Sequence, residues 1–198
     1  MNINLKAAAI VAAAVALVAF SSMALAQSAP VPTDPQIVGI VVAANQIDID
    51  YAKLALKKAK DKQVRDFAQQ MVTDHSAVQQ SVFDLGAKLK VMPADSDTAK
   101  SLKAQAAETT KKLKALKGTA FDKAYIENEV AYHKAVIGAV STVLIPNAQN
   151  AELKKALEGA APLFQGHLEH AQNVETAVEP NRTTALAKHS DQRLIKER

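Results

Sequence analysis

Between Asp34 and Val178 apolar residues return every three or four positions, the period of amphipathic helices rather than the alternation of strands. In the first such stretch Ile37, Ile40, Ala44, Ile47, Tyr51 and Leu54 form the stripe, with Asp48 and Asp50 beside it. In the second, Phe67, Met71, Val78, Val82 and Leu85 recur, and His75 falls into the same stripe. A later stretch carries Ile126, Val130, His133, Ile137 and Val140, and the last carries Leu157, Phe164, His167, Ala171 and Val174. His133 and His167 therefore share the inward face of their helices.

Turn signals divide these stripes. Asp34 followed by Pro35 reads as an N-cap and first-turn proline, opening a helix to about Lys58. Asp61 offers the next N-cap, and the tight break implies an antiparallel hairpin. The second helix ends before Pro93. A lysine- and alanine-rich third helix, 98–117, reads as a cover within a long connection. Gly118 suits a left-handed helix stop, with Thr119 and Asp122 as a capping-box-like start to a helix reaching about Ile145. Asn150 then caps a last helix, 151–178, in which Pro162 should produce a kink before His167. The expected fold class is all-α: a ferritin-like four-helix bundle of two hairpins with a helical crossover connection. A five-helix up-down bundle is the topological alternative.

Composition narrows the setting. The chain opens with Lys6, an unbroken apolar run from Ala7 to Phe20, and small residues at Ala24 and Ala26, the plan of a secretory signal over residues 1–26 cleaved after Ala26. The run is shorter than the roughly 20 residues a membrane-crossing helix needs. The expected mature protein is periplasmic or secreted and lacks a spanning helix. It comprises an extended leader over 27–33, the bundle over 34–179, and a mildly basic, disordered tail over 180–198. Signal removal takes away one of 24 basic side chains and none of 20 acidic ones, so the charge stays close to the full chain's +4. That excess is too small to imply nucleic acid as a partner. No cysteine is present, so no disulfide supports the fold and stability must come from buried apolar area. With no tryptophan and much alanine, closely packed helices are expected.

The polar residues in the stripes then need an explanation. At a rise of about 1.5 Å per residue, Asp50 and His75 stand within roughly 5 Å of each other in height, and His133 and His167 within roughly 6 Å. Asp50, His75, His133 and His167, one from each of four helices, can thus converge as ligands of one divalent ion. Neutral imidazoles and a carboxylate around a cation avoid both unpaired ring nitrogens and repulsion between imidazolium groups. Asp74, Glu129 and Glu169 lie close enough to accept a second ring N–H and fix a ligating tautomer, and His170 could replace or supplement His167. The competing expectation is a metal-free core network in a structural or protein-interaction bundle. Nothing resembles a nucleophile activated by a base, and there is no glycine-rich phosphate loop.

Three segments, "DYAKLALKKAKDKQVRDFAQQMVTDH", "FDKAYIENEVAYHKAVI" and "APLFQGHLEHAQ", resemble the DUF4142 family of exported, ferritin-like bacterial proteins. The Asp74–His75 pair, the spacing of Asp122, Tyr125 and His133, and Pro162 followed by His167 carry the likeness most specifically. The resemblance implies a four-helix ferritin-like bundle and favours Asp50 over Asp48, because the family usually has glutamate at that place. It implies no activity. Ferritins proper carry Glu-x-x-His pairs, whereas Val72 and Phe164 precede His75 and His167 by three, so a single zinc, iron or manganese ion fits better than a carboxylate-bridged di-iron centre.

Overall fold

A computed structural model describes residues 31–179 of the chain. They form an all-α bundle of helices α1 (Asp34–Lys58), α2 (Lys62–Leu89), α3 (Asp97–Ala115), α4 (Gly118–Ala139), α5 (Ile145–Asn147) and α6 (Ala151–Val178), with a π-helical turn at Val140–Leu144 before α5. Among the described residues there is no strand, and no helix is long and apolar enough to cross a membrane. The expected signal segment, most of the leader, and the basic tail lie outside the described residues.

Local chemistry sets most helix boundaries. Asp61 caps α2, accepting the N–H groups of Gln63 (2.7 Å) and Val64 (3.2 Å). Asn150 does the same for α6, accepting from Glu152 (2.9 Å) and Leu153 (3.1 Å). Two expected caps are overturned. Thr33, not Asp34, precedes α1, and its backbone N–H donates to the Gln36 amide oxygen at 3.0 Å. Gly118 has the left-handed φ of 57° that was expected of it, but α4 begins there, with Lys117 rather than Thr119 at the N-cap.

The two acids thus released from capping do something else. The Asp122 carboxylate accepts the backbone N–H groups of Lys60 and Asp61, each at 3.0 Å, closing the turn between α1 and α2. The Asp34 carboxylate accepts those of Gln149 (2.8 Å) and Asn150 (2.9 Å), closing the turn before α6. Each acid serves a turn remote in sequence, because turn N–H groups without a ladder partner need an acceptor from somewhere.

Packing is strongest between α1 and α2 and between α4 and α6, while α3 lies along α1. The connection from α2 to α3 sits directly on α1: Ala94 donates its N–H to the Pro35 carbonyl at 2.8 Å, and a Cβ on Gly39 would come within 2.0 Å of the Ala94 oxygen. One apolar core, with Phe67, Met71, Phe121 and Ile126, fills the end nearest the α1–α2 turn. A second, with Ile37, Ile40, Val140, Leu144 and Leu157, fills the opposite end. Between the two cores the interior is polar.

Candidate metal centre

The polar layer comes from inward positions on α1, α2, α4 and α6. His75, His133 and His167 are all buried, with one ring nitrogen from each lying within 4.8 Å of the others. Their ring centroids are 5.1 Å (His75–His167), 5.5 Å (His133–His167) and 5.7 Å (His75–His133) apart. Phe164 stacks on His75 at an interplanar angle of 12°, giving that ring an apolar wall.

The first helix supplies Asp48, not Asp50. Asp48 is fully buried, and its Oδ2 stands 3.4 Å from His75 Nε2 and 3.6 Å from His133 Nε2. Asp50 is exposed and accepts a hydrogen bond from Gln46 one turn away at 2.9 Å. Two residues on a helix differ by about 200° in direction, so the two acids face opposite ways although their heights are nearly equal. The height argument could not separate them; the angle does.

Each imidazole is held by an acceptor on one side. His75 Nδ1 lies 2.9 Å from Asn45 Oδ1, and the Asn45 amide N–H₂ donates to the Val41 carbonyl at 2.9 Å, so its oxygen is left to accept from the ring. His133 Nδ1 donates to the Glu129 backbone carbonyl at 3.0 Å. His167 Nε2 donates to Asp74 Oδ2 at 2.9 Å. These bonds place the ring protons at Nδ1, Nδ1 and Nε2, and in the neutral rings the lone pairs fall on His75 Nε2, His133 Nε2 and His167 Nδ1. Those three nitrogens are buried and without a hydrogen-bond partner, as are both Asp48 oxygens and both Glu129 carboxylate oxygens.

Leaving such groups unpaired costs about 1–3 kcal/mol each, which makes the cluster a poor structural solution by itself. A cavity of about 20 Å³ bounded in part by Asp48, His75 and His133 adjoins it. That is the room of one small ion or water.

Burial also sets the protonation. Desolvation drives His75 down to about 3, with the neighbouring imidazoles adding to the effect, and His133 down to about 4. His167 is lowered too, by burial opposed by Asp74. Burial pushes Asp48 up to about 8, and pushes Glu129 well above the usual carboxylate range with further help from Asp48. Near neutral pH the histidines are neutral donors and the acids hold protons that a cation could displace.

The other sequence-derived candidates divide. Asp74 is in contact, but it supports His167 across the α2–α6 seam and not its neighbour His75. Glu129 supports His133 through its main chain, and its side chain forms a second cluster with Asp48 and His133, all within 4.8 Å. His170 does not join: its Nδ1 pairs with Gln70 at 2.9 Å and its ring lies edge-on to Phe67. Glu169 is exposed beside Gln165. Asn45, the support of His75, escaped the sequence reading, although an asparagine three residues before Asp48 in an apolar stripe was a usable signal.

A family model described as "Domain of unknown function (DUF4142)" matches residues 19–174, which include every residue of the cluster. The chain belongs to the DUF4142 family. No curated protein matches the sequence. Two solved structures resemble this DUF4142 chain in fold. The crystal structure of a DUF305 protein from Streptomyces coelicolor aligns with a TM-score of 0.61 at 11% identity, covering 72% of this chain and 91% of that one. CopM in its Cu(II)-bound form aligns with a TM-score of 0.58 at 14% identity, covering 75% of this chain and 99% of that one. At such identities the likeness concerns the arrangement of helices alone.

Proposed function

We propose that this protein is an exported metal-binding bundle that holds one divalent transition-metal ion on His75, His133, His167 and Asp48. The observation that carries the reading is the convergence of three imidazoles whose other nitrogens are already committed to Asn45, Glu129 and Asp74, with their lone pairs buried and unpartnered. Three neutral imidazoles and one carboxylate make a borderline donor set suited to zinc or Cu(II), and poorly suited to magnesium or calcium, which prefer oxygen. The fold likeness to a protein solved with Cu(II) supports including copper beside zinc, iron and manganese among the candidates. The bundle reads as ferritin-like, with the α1–α2 and α4–α6 hairpins joined by α3 as the crossover. A role as sensor, carrier or stress protein of the cell envelope follows more naturally than catalysis.

The deciding experiment is elemental analysis of the mature protein purified without an affinity tag and dialysed against each metal in turn. About one equivalent retained by the parent and lost by His133→Ala is the expected result. No retention, or retention indifferent to that substitution, would make the cluster a structural network and return the protein to the class of metal-free interaction bundles.

A further inference from the structure

The helices do not close over the apolar interior along their whole length. A cavity of about 630 Å³ runs through the half of the bundle away from the α1–α2 turn. Its volume lies within the range of small-molecule sites, roughly 300–1,000 Å³. It is open to solvent along one side, where exposed small residues such as Ala77, Ala135 and Ala156 form the rim over a floor of buried Leu144, Leu153 and Phe164.

Shape, polarity and charge narrow the occupant. The walls run along α1 from Val38 to Tyr51 and along α2 from Asp74 to Leu89. At about 1.5 Å per residue the space is about 20 Å long. Spread over that length, 630 Å³ leaves a mean cross-section of roughly 30 Å², the width of one alkyl chain. A length of about 20 Å also exceeds the roughly 15 Å that a lipid chain spans in one leaflet of a bilayer about 30 Å thick.

The far end is aliphatic, walled by Val38, Leu85, Leu89, Leu144 and Leu153. Asn45, Asp74, Asn128 and Tyr132 contribute polar groups towards the other end, and Ser81, Gln105 and Thr109 are also in the wall. Ala44, Asn45, Tyr132, Val136 and Phe164 line both this cavity and the small one beside Asp48, so the polar end abuts the histidine cluster. Among the described residues Asp74 is the sole charged one in the wall, and no cationic side chain there neutralises an anionic head.

We infer that the cavity binds a single-chain aliphatic molecule with a small uncharged polar head, the class of a long-chain alcohol, its tail among the aliphatic residues and its head beside Asn45 and Tyr132. The polar end shares Asn45 and Asp74 with the supports of His75 and His167, but the aliphatic walls are separate from them and exist whether or not an ion is bound.

The test uses the uncharged dye N-phenyl-1-naphthylamine on the full mature protein, both chelator-treated and metal-loaded, with 1-dodecanol and dodecanoate as competitors. The dye should brighten on binding in both forms, and 1-dodecanol should displace it at a concentration at least tenfold below that of dodecanoate. Ala160→Phe, which fills the channel from α6, should weaken dye binding about tenfold or more with unchanged metal content. Should that variant fail to fold, Gly159→Leu provides the same reading, because a Cβ there meets no atom within 4 Å. Failure of the dye or 1-dodecanol to bind the parent, or equal binding by parent and filled variant, would overturn the proposal. Equal displacement by dodecanoate would overturn the assignment of an uncharged head. Loss of metal binding in the elemental analysis would leave these outcomes unaffected.

Discussion

Asn45 holds His75 from the neighbouring helix, its amide oxygen 2.9 Å from Nδ1. The bond settles which nitrogen of His75 carries the proton, and therefore which one faces Asp48. Replacing Asn45 with Leu removes that acceptor while keeping bulk. Metal affinity should fall about 10–100-fold with the ligands themselves intact, the usual loss when the support of a ligating histidine is removed. Isothermal titration of the parent and variant with zinc and Cu(II) measures it.

The two acids of α1 separate in one comparison. Asp48→Asn should abolish or greatly weaken metal retention, because it removes the buried carboxylate between His75 and His133. Asp50→Asn should leave both metal content and melting temperature within error of the parent, since the side chain is exposed. The reverse pattern would show that α1 is turned differently from the description given above.

Binding should release protons. Asp48 sits at about 8, so below that pH an ion must displace its proton, and apparent affinity should rise by about tenfold per pH unit between 6 and 8, then flatten. Heats of binding measured in buffers of different ionisation enthalpy give the proton count directly. A pH-independent affinity would mean that Asp48 does not ligate.

The metal-free protein should show its own pH dependence. His75 and His133 are depressed in the fold, so they weaken it only as pH falls below the ordinary histidine value of 6.5. Asp48 and Glu129 are raised, so the unfolded chain releases their protons first and stability falls as pH rises toward the folded values. Between pH 6.5 and 8 the acids act alone. Melting temperature of the chelator-treated protein should drop over that window, by a loss of about 2 kcal/mol or more, and Asp48→Asn should reduce the slope and leave the part due to Glu129.

Much of the frame was legible in the sequence because its signals are local. Asn150 announces the start of α6 within the residues it caps, and Asp61 does so for α2. The seam histidines were readable because a three-and-four spacing fixes direction around a helix, and His75, His133 and His167 meet at one level. Asp122 was misread because the groups it serves, the N–H of Lys60 and Asp61, lie 62 and 61 residues away. Asp34 was misread for the same reason. The groove was hidden differently: a run of alanines does not say whether another helix covers it, and Ala77, Ala135 and Ala156 are left exposed.

Asp122→Ala should cost about 1–3 kcal/mol by leaving turn N–H groups without their acceptor, with metal affinity largely preserved in the folded fraction. Denaturant unfolding followed by circular dichroism, beside a metal titration, tests both parts.

The exchange of carboxylates between Asp34 and Asp122 makes each half of the molecule a condition for the other. The turn of the first hairpin is completed by a residue of the second, and the turn of the second by a residue of the first. Neither hairpin closes its own turn alone, so the bundle should melt in one cooperative step. Fragments divided within the α3 connection should remain unstructured alone and regain helix content only when mixed.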